Sequence, residues 1–358
     1  MNYIFINVFL IVITLLSFSC SPEDGVNGED GVDGIDGTSG LPNGIGFLTL
    51  TGDITNEDAV EIIEQSAGID THTLLVSGTT NLTTLNIATI STLTTLEVIN
   101  NEKLENLSLP NLESVLDNVS IENNNALTTI SFENLTITRS LSIQENTMLT
   151  SVSFPNLSDG LQGISFSQNE SLENISFPLV RAIKNRLFIG ENTNLERLEL
   201  DNLETIRSMV IRKNKKLPNI DFPNLITAEG ITINDNDMIS NIAFSNLNNV
   251  TGTTLSINED VLTTINFDQL NTFSRLAINS TALLTSVNLS AAQDFDQLVL
   301  NSPGKLSTAA IDQVITALVH ITPAITEATI LIRGTASAQA LIDADILRTG
   351  GNVVTITE

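Results

Sequence analysis

A block of 21 to 24 residues recurs through most of this 358-residue chain, and the recurrence leaves few folds open to it. One copy reads Leu141-Ser-Ile143-Gln-Glu-Asn146-Thr-Met-Leu149-Thr-Ser-Val152-Ser-Phe154-Pro155-Asn-Leu157. The next keeps the register, with Ile164, Phe166, Asn169, Leu172, Ile175 and Phe177 at the matching places. Further copies centre on Asn101, Asn124, Asn192, Asn214 and Asn236, and degenerate ones on Thr79, Asp260, Thr281 and Pro303. A repeat of this length marks a solenoid, because one unit can bury its apolar face only against its neighbours.

Each unit holds two short alternating runs, such as Leu141-x-Ile143 and Val152-x-Phe154, and alternation puts those side chains on one face of a strand. A third inward position follows the Pro-Asn-Leu corner, as in Leu203-x-x-Ile206 and Leu247-x-x-Val250. The pattern predicts an all-β fold: a parallel β-helix with three short sides and corners at Asn and Pro. About eleven coils at roughly 4.8 Å each make a tube about 50 Å long. Phe132, Phe154, Phe177, Phe222, Phe244 and Phe267 fall at one inward place and should stack inside the tube, with Leu109, Leu200 and Leu289 filling the same place elsewhere. The anchors Asn101, Asn124, Asn146, Asn169, Asn192, Asn214 and Asn236 are read as a structural ladder. Their amides can bond backbone groups at a corner that no β-ladder serves.

The solenoid is assigned to residues 74–306, with an N-terminal cap over 46–73 and a C-terminal α/β cap over 307–358. At the front, Phe47–Leu50 reads as a strand and Thr55-Asn-Glu-Asp58 as a capped helix start. At the back, Ser307 opens an amphipathic helix through Leu318. A strand Ala328–Ile332, a helix Ala336–Leu347, a Gly350-Gly351 stop and a strand Val353–Ile356 follow.

The phrase L-x-I-x-x-N-x-x-L-x-x-I-x-F-P-x-L-x-x-I resembles the repeat of receptor L domains, the right-handed, leucine-rich-repeat-like β-helices of insulin- and EGF-receptor ectodomains. The likeness covers about residues 74–306 and is best between Leu96 and Leu247. It implies right-handed coils. The segment Leu306–Leu318 also resembles the ending of many bacterial surface leucine-rich-repeat proteins. With a single Cys the chain has none of the receptor disulfides, and with no kinase or partner domain the signalling role does not carry over.

The N-terminus gives an address. Ile4–Leu16 is an apolar run broken only by Asn7 and Thr14, too short to span a bilayer and suited to a signal-peptide core. It leads to Ser17-Phe18-Ser19-Cys20. A lone Cys at this place resembles a bacterial lipoprotein signal, with residues 1–19 removed and Cys20 lipidated. An ordinary cleaved signal or an uncleaved anchor are the alternatives. The lone Cys makes neither an internal disulfide nor a metal site. Residues 20–45 then carry Gly25, Gly28, Gly31, Gly34, Gly37 and Gly40 at every third place, with Glu29, Asp30, Asp33 and Asp36 between them. The triplets are collagen-like. Without Pro, and so few, they read as an acidic flexible tether rather than a triple helix or a calcium site. The expected location is the bacterial cell envelope, at the outer membrane and exposed on the surface.

A net charge of −27 argues against nucleic acid and anionic membrane surfaces as partners. Two isolated histidines, His72 and His320, and the absence of metal spacings, phosphate loops and nucleophile elbows point away from an enzyme, a cofactor or a metal. Coil lengths vary by three residues at most, which leaves no lid. There is no Trp, and Tyr3 is the only Tyr, so a ligand must be held by polar or charged groups or by an exposed Phe such as Phe188.

Two outward features bear on binding. Asn106-x-Ser108, Thr129-x-Ser131, Ser151-x-Ser153 and Asn174-x-Ser176 form a stack of small polar groups, read as an ordinary hydrated face, with contact to glycans or ordered water as the alternative. Nine of the fifteen basic residues lie between Arg181 and Lys216. Among them Lys213 falls in register between Glu191 and Asp235 and Lys215 beside Asp237, so charge ladders compete with a binding role. Arg186, Arg212 and Lys216 face no acid at matched positions and are the candidate ligand-binding residues. These features point to a lipid-anchored surface binding or adhesion module for an anionic glycan or protein, with a ligand-free structural spacer as the alternative.

Overall fold

The computed structural model describes residues 43–158, 160–279, 284–301 and 306–357. The signal segment, Cys20, most of the tether and the degenerate anchors Thr281 and Pro303 lie outside the described residues. What is described is a parallel β-solenoid. Fourteen strands pair in parallel in one long sheet that starts at Phe47–Gly52 and ends at Val353–Thr357. Eleven of them, from Thr73–Thr79 to Asp294–Asn301, come one from each coil. On the opposite wall, three-residue strands such as Asn174–Ser176 pair in parallel ribbons of three, four and three strands. Equivalent residues are direct neighbours, so Leu141, Ile164 and Leu187 line up across three coils.

The third side of the coil is not separate. Ile206 lies in the same strand, Thr205–Arg212, as Met209 and Ile211, and all three are buried. Ile206 and Met209 are three residues apart, out of step with alternation, so the strand must bend between them. Register irregularities mark that bend between Ile183 and Arg186, between Ala228 and Gly230 and between Val250 and Leu255. Each coil therefore has one long bent strand and one short one.

Inside, the phenylalanines stack. Phe154 and Phe177 lie 5.2 Å apart with rings nearly parallel, and Phe222, Phe244 and Phe267 continue at 6.0 and 5.9 Å. Leu200 fills the gap in this column. A second stack, Phe273 on Phe295 at 4.8 Å, lies in the long sheet, where other coils carry Leu, Ile, Val, Thr or Ala.

The asparagines occupy the corner after the long strand. The residue before each one is left-handed: Asn100, Asn123, Glu145, Gln168, Glu191, Lys213 and Asp235 have φ between 54° and 62°. That conformation costs an ordinary residue about 1–2 kcal/mol. The Asn amide spans it, as when Asn146 Nδ2 donates to the Gln144 carbonyl at 2.9 Å. It also donates to Ile121 O of the preceding coil, and its Oδ1 accepts from both the backbone N–H and the Nδ2 of Asn124. The bonds between coils repeat from Asn101 to Asn236, while the bond to the carbonyl two residues back is made by Asn124, Asn146 and Asn236. Thr79 opens the ladder by donating its N–H and hydroxyl to Asn101 Oδ1.

At the other end the sequence reading needs correction: Glu259, not Asp260, takes the anchor place. Glu259 is 1% exposed, and its two oxygens accept from the Asn236 N–H at 3.0 Å and Nδ2 at 2.8 Å. Asp260 is exposed. The longer Glu side chain reaches the ladder from one residue earlier, where register pairs it with the left-handed position of the preceding coil. Burial pushes its carboxyl up to about 8, aided by the charges of Asp235 and Asp260 and opposed by the bonds from Asn236.

The flanks finish the tube unequally. Helix α1, Asn56–Ser66, has Thr55 and Asp58 in a reciprocal capping box. It packs beside the first short strand, Thr84–Asn86. There Asn56 Oδ1 accepts from the Thr83 and Thr84 N–H groups at 2.9 and 3.0 Å. Helices α2, Thr308–Val319, and α3, Ala338–Thr349, have Ser307 and Ser337 as N-caps. α2 packs on α3 and on the last described short strand, Ser286–Asn288. The helices thus close the short wall, whereas the long sheet runs on through Thr329–Arg333 and Val353–Thr357 and does not close.

Two outcomes are expected. Phe177→Ala removes the middle of the stack and should cost about 3–5 kcal/mol in denaturant unfolding. A loss below 1 kcal/mol would contradict a packed stack. For Glu259 the folded state binds the proton more tightly than the unfolded chain, so its contribution to stability should fall as pH rises from about 4.5 to about 8. Glu259→Gln should remove that slope and be more stable than the parent at pH 9, as read from melting temperatures across the window.

Candidate binding face

Alternation along the long strands turns every second residue outward, and on the strand Ala182–Gly190 these are Arg186, Phe188 and Gly190. In the preceding coil their neighbours in register are all small, Gly163, Ser165 and Ser167. Gly163 and Ser208 flank Arg186, Ser165 and Val210 flank Phe188, and Ser167 and Arg212 flank Gly190. Phe188 is half-buried, and its ring lies over Gly190, where a Cβ would come within 2.6 Å of the ring edge. Two cations converge on that ring. The guanidinium carbon of Arg186 stands 4.8 Å from its centroid and that of Arg212 5.3 Å.

The two arginines differ in their partners. Arg212, expected to face no acid, pairs through Nη2 with Glu191 Oε1 at 3.4 Å. Its matched neighbour is Gly190, but the left-handed corner carries the next residue, Glu191, back towards it. Glu191 also takes Lys213 at 3.5 Å. The Nε of Arg212 is buried with no hydrogen-bond partner. Arg186 has no ion pair among the described residues. Lys216 is exposed in the corner after the strand Thr205–Arg212, off the sheet face, and does not join Phe188. Elsewhere in the cluster Arg181 pairs with Glu204, Arg197 with Glu199 and Arg207 with Glu229, all exposed and of little net energy. Lys215 forms no ion pair with Asp237 among the described residues.

Beside the arginines lies a hollow of about 230 Å³ floored by Gly163 and edged by Ser140, Ser142, Ser165, Arg186 and Phe188. Ser142 is engaged, donating to Glu122 and accepting from Gln144. The hydroxyls of Ser140 and Ser165 have no protein partner among the described residues. The chemistry available is a free guanidinium, two free hydroxyls and an aromatic surface, which suits a carboxylate or sulfate carried on a partly apolar frame. No group of acids, histidines or cysteines among the described residues is arranged to hold a metal ion. His72 and His320 sit in opposite flanks, His320 bonded to the Thr316 carbonyl.

The polar stack on the short wall is less continuous than its sequence. Its ribbon breaks between Thr129–Ser131 and Ser151–Ser153, and Thr129 spends its hydroxyl on Asn106. What sequence reasoning missed is the hollow: nothing in the spacing of Ser140, Gly163 and Ser165 marks it without the bend and the Phe188 rotamer. Comparison of the chain with protein-family models, with curated proteins and with solved structures finds no match.

Proposed function

We propose that this chain is a lipid-anchored binding or adhesion protein of a bacterial cell surface, built from receptor L domain-like repeats. It holds an anionic glycan or an acidic protein surface and catalyses no reaction. One observation carries the reading: an unpaired Arg186 shares the ring of Phe188 with Arg212 at the rim of a hollow bearing free hydroxyls. In a chain of net charge −27 such a cationic spot stands out from its surroundings. The apolar run before Cys20 supports export, and the lone Cys supports the lipid anchor. The Gly-rich segment after it is a tether that holds the solenoid off the membrane.

A structural spacer is the second reading, favoured by the ion pairs that occupy Arg181, Arg197, Arg207, Arg212 and Lys213. The two readings separate on a glycan array. Arg186→Ala with Arg212→Ala should reduce binding to acidic glycans at least tenfold and flatten its salt dependence, because exposed charge contacts weaken as salt screens them. Lys216→Ala should change little. Binding unaffected by the double change would favour the spacer. For the anchor, Cys20→Ser should abolish fatty-acid labelling and release the protein from membranes. Labelling that persists in the variant would exclude Cys20 as its site.

A further inference from the structure

Among the described residues the long sheet has two free edges, and neither edge strand carries a charge. They are Phe-Leu-Thr-Leu-Thr-Gly at 47–52 and Val-Val-Thr-Ile-Thr at 353–357. Natural edge strands are usually blunted by Lys or Pro, and these are not. Both also present apolar side chains to solvent: Phe47 is 55% exposed and Val353 59%. On α3, Ile342 and Ile346, one helical turn apart, are exposed, as is Val60 on α1.

We infer that the two ends of the solenoid join head to tail, the strand Val353–Thr357 of one copy pairing in parallel with Phe47–Gly52 of the next. The backbone groups match. In a parallel ladder alternate residues serve one neighbour, and Val353 and Thr357 face inward, since the Val353 N–H donates to Ala328 O and Thr357 O accepts from Gly334. Val354 and Ile356 therefore direct their N–H and C=O outward. At the other end Gly46 O and Gly52 O accept from the next strand, which leaves Phe47, Thr49 and Thr51 facing out. Setting Val354 against Leu48 and Ile356 against Leu50 continues both inward columns without a step. In that register Thr49 N–H meets Val354 O, Val354 N–H meets Phe47 O, Thr51 N–H meets Ile356 O and Ile356 N–H meets Thr49 O.

The same register lays Phe47 beside Val353 on the outer face and covers both. It also brings the exposed face of α3 towards α1 of the neighbour. One group must give way: Arg348 Nε donates to Val354 O at 2.9 Å and would yield that carbonyl to Thr49. The contact is heterologous and does not close on itself, so it generates a filament rather than a ring. The like charge of the copies opposes it, so added salt strengthens assembly, opposite in sign to its effect on binding an anionic ligand.

The test uses the purified full-length chain in sedimentation velocity with two single variants. Thr49→Pro removes an outward N–H and spares the ladder within the chain, and Val353→Lys charges the other end. The parent should form concentration-dependent linear oligomers that grow with salt. Each variant alone should sediment as one chain with an unchanged melting temperature, and an equimolar mixture should give a two-chain species and nothing larger. If Thr49→Pro fails to fold, Phe47→Lys blocks the same end. A parent that stays monomeric overturns the inference, as do oligomers that survive in either variant or a mixture that forms no pair.

Discussion

The asparagine ladder is the interaction on which the solenoid depends. Seven coils leave the long sheet through a left-handed, non-glycine residue, a conformation that costs an ordinary residue about 1–2 kcal/mol. The amide of the next residue ties that corner to the coil before and the coil after, and at Asn124, Asn146 and Asn236 it also spans the left-handed residue. A buried Asn offers two donors and an acceptor with two lone pairs, and in this geometry all are used. Once the corner is fixed, the alternating residues on either side fall on the same face in every coil, and the Leu, Ile and Phe columns follow.

The ladder has a direction, and its ends show what direction requires. Every Oδ1 accepts from the coil before, so the first member needs only to donate and the last only to accept. Thr79 supplies an N–H and a hydroxyl at one end, and Glu259 supplies two carboxyl oxygens at the other. The buried carboxyl satisfies the terminal Asn236 but resists ionisation. The most strongly perturbed acid among the described residues is thus the terminus of the ladder.

The candidate binding face is built on the side of the sheet that the ladder leaves free. Small residues at Gly163, Ser165 and Gly190 let one aromatic ring lie flat, and the ring gathers two guanidinium groups from adjacent strands. Among the described residues the flanking helices cover only the short wall, so the long sheet, which carries the candidate binding face, also keeps two open edges. The candidate binding face and the proposed contact between copies lie on different surfaces, so one would not compete with the other.

The repeat, the inward columns, the anchor asparagines and the capped helices were legible in the sequence because each rests on local rules: period two in a strand, side-chain oxygens at a helix start, and identical spacing from coil to coil. The reading of Cys20 and the tether rests on the sequence alone, since Cys20 and most of the tether lie outside the described residues. Three features needed the tertiary structure. The third side proved to be part of the long strand, since Ile206 and Met209 break alternation and only the paired neighbours reveal a bend instead of a corner. Glu259 displaced Asp260 because the reach of a side chain to Asn236 depends on where the adjacent coil lies. Arg212 acquired Glu191 and joined Arg186 at Phe188, while Lys216 stayed apart, because left-handed corners move side chains diagonally between coils. Spacing along the chain fixes which residues stack, but the distance between charges on neighbouring coils is set by backbone turns and rotamers that no single repeat encodes.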